Sequence, residues 1–283
     1  MMKNHVQYIA FALLVASFFL SSCEPKEADI PTYIQIDSIK VVTNESTQGT
    51  NKHQITDVWF NLEGSRVGTF EPPTKFPVIA NGKRPISIYA GVLKSGIHDF
   101  REKYPFFKPI IDTLDFVHNE IIHYTPVFEY KDETKFWIED FEDPGMKFHT
   151  NDSTNYLSQI VDSRNPDNHL GYVYLPDTTN SFFMFTTIEM KLSSTPIYLE
   201  IEYLADAAFG IGVRLEKVGG GYENIDPFTI VKSKETWNKL YLNLSEQFYV
   251  NSGATSYDIY ILFASKESEE AHFYLDNIKI VSF

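Results

Sequence analysis

Apolar and polar residues alternate with a period of two along most of this chain. From residue 33 onward, runs of this kind cover 33–42, 57–62, 86–92 and 121–130, separated by clusters of Gly, Pro, Asn and Asp. A two-residue period puts one set of side chains on one face of a strand, so the pattern predicts half-buried β-structure. Asp57-Val58-Trp59-Phe60-Asn61-Leu62 followed by Glu63-Gly64-Ser65-Arg66 predicts a strand entering a tight hairpin, with Val67-Gly68-Thr69-Phe70 returning. No helical period longer than two turns precedes residue 130, and Pro72-Pro73 and Pro105 fall where edges and loops are expected. Roughly 100 residues of this kind predict a β-sandwich of about seven strands.

A second series begins near Lys135. Its apolar runs cover 170–175, 182–192, 197–204, 210–218, 238–244 and 258–264, and their number and spacing predict a two-sheet jelly roll. Gly219-Gly220-Gly221 reads as a hairpin loop, because it lacks the Lys-Ser/Thr flank of a phosphate loop. Trp237, at the entry to 238–244, reads as a packing residue of the fold.

The first two dozen residues have a different character. Before Cys23, Lys3 is the one charged side chain, with His5 close by, and an apolar run covers 8–20 with Ser17 its one interruption. A helix needs about 20 residues to span a hydrocarbon core. This run is shorter and has the length of a secretory h-region. It closes on Leu20-Ser21-Ser22-Cys23, which resembles a lipobox, an aliphatic residue and two small ones before cysteine. The resemblance implies that residues 1–22 are a lipoprotein signal peptide and that Cys23 carries the lipid. Each buried CH₂ contributes about 0.8 kcal/mol, so two or three acyl chains hold the protein firmly on a membrane. Cys23 is the single cysteine, so its modification leaves no thiol for a disulfide or for thiol catalysis.

Residues 23–32 read as a polar tether with Pro25 and Pro31 in it. Its acidic residues Glu24, Glu27 and Asp29 resemble, loosely, the post-cysteine signals that send Bacteroidota lipoproteins to the cell surface. That implies an outer-membrane lipoprotein displayed outward, while a plain tether explains the same residues.

Charge narrows the partners. The chain carries a formal −14, and loss of Lys3 with the leader takes it to −15. Such a surface repels phosphate backbones, so nucleic acid is not an expected partner and the membrane is met through the lipid alone. Aromatic residues make up 15% of the chain, and these suit pleated, half-buried surfaces.

Two stretches carry family resemblances. Asp57-Val58-Trp59-Phe60, Val67-Gly68-Thr69-Phe70-Glu71-Pro72-Pro73 and Tyr104-Pro105-Phe106-Phe107 resemble the first domain of uncharacterised Bacteroidota lipoproteins, and more loosely Ig-like or PEGA-like modules. Phe136-Trp137-Ile138-Glu139-Asp140-Phe141-Glu142-Asp143-Pro144-Gly145 and Phe273-Tyr274-Leu275-Asp276-Asn277-Ile278-Lys279-Ile280 resemble the opening and closing strands of carbohydrate-binding-module jelly rolls. Together they imply an all-β chain, with an N-terminal Ig-like β-sandwich over 33–132 and a C-terminal jelly-roll β-sandwich over 133–283. The second resemblance implies a structural calcium ion shared by the first and last strands. Its hard oxygens would come from Asp140 or Glu142 and from Asp276, residues that also read as ordinary solvated acids.

Catalytic constellations are sparse. His118 and His123 flank a Glu, but their spacing of five puts them on opposite faces of a strand, unlike a zinc-protease helix. The acids of 139–143 fall close together in sequence, which by itself does not make a glycosidase pair. No Gly-x-Ser-x-Gly elbow is present. The expected function is therefore non-enzymatic. Tyr172 and Tyr174 alternate so that both point to one face, where a pyranose would stack, and Arg214 is expected on a neighbouring strand as a hydroxyl donor. Glycan binding is the first reading. Docking onto another envelope protein is the alternative, and an enzyme acting on surface glycans comes third.

Overall fold

The computed structural model describes residues 30–96, 100–150, 152–187, 196–225, 229–251 and 253–283. The leader and Cys23 lie outside them. Among the described residues the chain is nearly all β, with short helical turns such as Glu45–Gln48 and Ser245–Val250. Among the described residues no helix is long and apolar enough to cross a membrane.

Ten strands build the first unit. They are β1 (Thr32–Ile36), β2 (Lys40–Val42), β3 (Asp57–Leu62), β4 (Ser65–Phe70), β5 (Thr74–Val78), β6 (Gly82–Leu93), β7 (Arg101–Lys103), β8 (Ile110–Phe116), β9 (Ile121–His123) and β10 (Val127–Glu129). A five-stranded antiparallel sheet, β4-β3-β6 with β7 and β8 both on β6, faces two smaller sheets, β5-β1-β9 and β10-β2. Ile34, Ile36, Val58, Phe60, Ile86, Ile88, Phe116 and Phe128 fill the space between as one cluster. The hairpin after β3 turns on Glu63 (φ 50°) and Gly64 (φ 80°), the left-handed pair that a tight two-residue turn requires. The run 33–42 is two strands instead of one, and β1 and β2 pair in parallel with the distant β9 and β10.

The second unit contains β11 (Lys135–Glu139), β12 (Phe148–His149), β13 (Leu157–Asp162), β14 (Asn165–Leu175), β15 (Ser181–Thr186) and β16 (Ile197–Ala205). It continues with β17 (Phe209–Glu216), β18 (Tyr222–Asn224), β19 (Thr229–Val231), β20 (Lys234–Asn243), β21 (Ser256–Ala264) and β22 (Ala271–Ser282). One six-stranded sheet has the order β13-β14-β22-β16-β20, with β11 also on β22. The other has the order β12-β15-β21-β17-β18, with β19 also on β17. Val173, Leu175, Leu199, Ile201, Ile211, Val213, Ile259, Ile261, Phe273 and Leu275 interdigitate between them. The all-β sandwich expected from the alternation is thus the observed fold. Of the run 182–192, the first part is β15, and 188–195 lie outside the described residues. The triglycine loop joins β17 to β18 with all three φ angles between 91° and 95°.

The two units meet over an extensive seam. Tyr198 of β16, Tyr241 of β20 and Val281 of β22 point outward from the second sandwich and belong to the first unit's apolar cluster. Tyr104 packs edge-on against both Tyr198 (5.4 Å) and Tyr241 (5.0 Å). The first unit therefore covers one half of the outer face of the β13-β14-β22-β16-β20 sheet. The other half stays open.

Candidate functional site

The open half carries a group of aromatic rings set by strand register. Antiparallel pairing puts Tyr172 opposite Tyr274 and Tyr174 opposite His272. Val173, Leu175, Phe273 and Leu275 between them point into the core, so the four rings must point out. Tyr172 lies 5.0 Å from Tyr274 and 6.0 Å from His272, and Tyr174 lies 5.1 Å from His272, with interplanar angles of 32°, 19° and 32°. Rings this close and this nearly parallel lean on one another. Hydrogen bonding fixes them further: the Tyr172 hydroxyl and His272 Nδ1 are 2.7 Å apart, and the Tyr174 hydroxyl donates to Glu270 Oε2 at 3.0 Å. That bond to Glu270, with the charge behind it, holds the Tyr174 phenol above its ordinary range.

Beside this row runs an open groove of about 430 Å³, lined by Leu204, Ala205, Asp206, Ser233, Lys234, Glu235, His272 and Tyr274. Of the four rings, His272 and Tyr274 form its wall, while Tyr172 and Tyr174 back them. Asp206 belongs to the turn after β16 and is tied to β22 by accepting the His272 N–H at 2.8 Å. Lys234 and Glu235 come from the start of β20. The groove thus presents aromatic carbon on one side and hydrogen-bonding groups of both kinds on the other, the arrangement that binds a ligand with both an apolar face and hydroxyls.

Where the groove face meets the seam, the sheet carries a belt of charge. Lys239 Nζ lies 3.0 Å from Glu200 Oε2 and 3.7 Å from Glu202 Oε1, all three side chains buried. Tyr104 and Tyr130 donate to Glu200 Oε1 at 2.5 and 2.8 Å. Burial works against the Glu200 carboxylate, but Lys239, Lys279 and the two hydroxyls hold it down at about 2. Asp276 has the reverse balance. Burial and the neighbouring Glu202 outweigh Lys52, Asn168 and the Asn277 N–H, and push it up to about 7. Burial and Lys239 bring the Lys279 ammonium down to about 8. From the first unit, Lys52 reaches Glu202 at 3.3 Å and Asp276 at 3.8 Å.

Of the residues expected to bind ligand, Tyr172 and Tyr174 do share one face. Arg214 does not join them. It stands on β17, in the other sheet, where β17 neighbours β18, β19 and β21 and never β14. Its guanidinium is forked onto buried Asp258, donates to His149 Nε2 at 3.0 Å, and lies 4.0 Å from the Phe185 ring and 4.6 Å from the Tyr222 ring. Burial and the adjacent guanidinium keep the His149 imidazole below its ordinary range. Trp237 is half-buried with the Arg164 guanidinium 4.3 Å over its ring, consistent with a packing role.

The acids expected around calcium are engaged separately. Asp140 Oδ1 accepts the Glu142 N–H, Glu142 accepts from His169 N–H and pairs with its ring, and Asp276 sits in the seam. The buried carboxylate at the end of the opening strand is Glu139, which accepts the N–H groups of Phe141 and Lys147. Among the described residues no group of three or more His, Cys, Asp or Glu side chains comes together as a metal set.

The sequence places Tyr274 in the closing-strand motif and His272 among scattered surface histidines, and points to no ligand role for either, nor for Asp206 or Glu235. His272 and Tyr274 alternate just as Tyr172 and Tyr174 do, and that was their available signal. Only the register between strands 100 residues apart joins the two pairs.

No protein-family model and no curated protein matches this chain. Similar solved structures are carbohydrate-binding modules. The family 30 module of a Clostridium thermocellum cellulosomal cellulase is 15% identical, over 51% of this chain and 96% of that one, at a TM-score of 0.37. A xylan-binding module of a Paenibacillus barcinonensis protein is 13% identical, over 52% and 99%, at 0.37. A module solved with β-1,4-galactotriose is 11% identical, over 50% and 89%, at 0.32. At these TM-scores none of the likenesses assigns a ligand to this chain.

Proposed function

We propose that this chain is a lipid-anchored, non-catalytic protein of the cell envelope, and that the second sandwich binds glycan in the groove beside Tyr274. The observation that carries the reading is the ring row itself. His272 and Tyr274 wall the groove, are braced from behind by Tyr174 and Tyr172, and face Asp206, Ser233, Lys234 and Glu235. A pyranose has an apolar face of C–H groups and a rim of hydroxyls, and needs that pairing of surfaces. A lipid at Cys23, joined by the polar segment that ends where β1 begins at Thr32, would hold the two sandwiches outside the membrane, with the groove on the unit farther along the chain.

The test is a glycan-array screen of the chain without its first 23 residues, which retains both cores, beside Tyr274→Ala. Binding by the parent that falls at least tenfold in the variant, with the melting curve preserved, supports the reading. No binding to any glycan overturns it and turns attention to docking on another envelope protein. Release of shortened sugars from a bound glycan would replace it with the enzymatic reading. Incorporation of labelled palmitate, lost in Cys23→Ala, tests the anchor.

A further inference from the structure

The charges around the groove specify the class of sugar, given the glycan reading above. Two of the groove's lining side chains, Asp206 and Glu235, are exposed carboxylates. Glu270 adds a third carboxylate, 3.0 Å from the Tyr174 hydroxyl and 3.8 Å from His272 Nε2. Against these acids the lining offers one lysine, Lys234. The whole chain is also strongly acidic, at −14.

We propose that the groove selects a glycan bearing a free amine, of the glucosamine type, over its neutral counterpart, and rejects uronate or sulfated sugars. Three physical arguments converge. An ammonium donates charge-assisted hydrogen bonds to Asp206 or Glu235, roughly twice as strong as a neutral pair. It is also attracted to an aromatic ring, and Tyr274 lines the groove. A sugar carboxylate or sulfate meets like charge on that same surface, where Lys234 is the lysine of the lining that answers it. The rings favour pyranoses in general, and the acids discriminate among them.

The experiment is calorimetric titration of the chain lacking residues 1–23 with four oligosaccharides of matched length. These are a glucosamine oligomer at a pH where its amine is protonated, the N-acetylated oligomer, a neutral gluco-oligomer and a galacturonate oligomer. The amine form is expected to bind about tenfold more tightly than the N-acetylated and neutral forms, and the uronate not measurably. Half-molar salt should shrink the ratio, since exposed charges are screened. Asp206→Asn combined with Glu235→Gln should bring the amine-to-neutral ratio close to one. Equal affinity for amine and N-acetylated oligomers, or uronate binding as tight as neutral, overturns the selectivity and leaves the glycan reading standing. Silence in all four titrations overturns the selectivity, and only silence on the glycan array as well overturns the glycan reading itself.

Discussion

The Tyr104 hydroxyl, from the first sandwich, donates a hydrogen bond to Glu200 Oε1 of the second at 2.5 Å, with both side chains buried. Tyr130 donates to the same oxygen, and Lys239 lies against the other. The seam between the units is therefore built around a carboxylate whose partners come from both sides. Burying it is tolerable because two hydroxyl donors sit on one oxygen and an ammonium on the other.

Glu200→Gln leaves the Lys239 ammonium buried without its closest counter-charge and is expected to destabilise by about 3–5 kcal/mol. Tyr104→Phe removes one donor and is expected to cost about 1–3 kcal/mol. Urea unfolding of both singles and the double variant measures this. Losses that simply add would contradict a direct coupling across the seam.

Asp276 makes stability depend on pH. Its carboxyl is pushed up from 3.8 to about 7, so between those values the folded chain holds a proton that the unfolded chain releases. Stability from this group is complete below about pH 4 and is lost as pH rises through 7. Glu200 acts in the opposite direction, being held at about 2 against 4.5, so its contribution is present above 4.5 and lost in stronger acid. Melting temperature is expected to fall from pH 5 to pH 8, and Asp276→Asn should flatten that slope. An unchanged slope in the variant would mean that another group titrates there.

Arg214 should act on stability rather than on ligand. Arg214→Ala strands the buried Asp258 carboxylate and is expected to cost about 3–5 kcal/mol. Glycan affinity, measured below the variant's melting transition, should stay within about twofold. A large affinity loss in a folded variant would move the binding site to the other sheet.

Gly171 lies under the ring row, between Leu170 and Tyr172 on β14, and a methyl group there would strike the buried Phe141 ring. Gly171→Ala is expected to cost about 1–3 kcal/mol through overpacking. If thermal melting shows no loss, Phe141 has room to retreat and the packing beneath Tyr172 is looser than described.

Much of the fold was legible from local pattern. Tyr172 and Tyr174 share a face because side chains two apart on a strand must, and Glu63-Gly64 make a tight turn because that backbone needs left-handed φ angles. The strand runs of the second unit and its closing strand were readable for the same reason. The placement of Arg214 was not, because alternation orients a side chain relative to its own strand and does not say which sheet that strand joins.

The sequence by itself determined an all-β chain in two series of strands, with the tyrosines of β14 turned to one side. Tertiary structure alone decided what lies against each side. In β16, Leu199 and Ile201 alternate with Glu200 and Glu202, the pattern of a strand with one face in water, yet both acids are buried because the first sandwich docks on that face. The half left open became a groove when β22 brought His272 and Tyr274 beside Tyr174 and Tyr172. The physical reason is one of range. Periodicity reflects backbone geometry over neighbouring residues, whereas strand register and docking join residues about 100 positions apart, and no local pattern encodes those contacts.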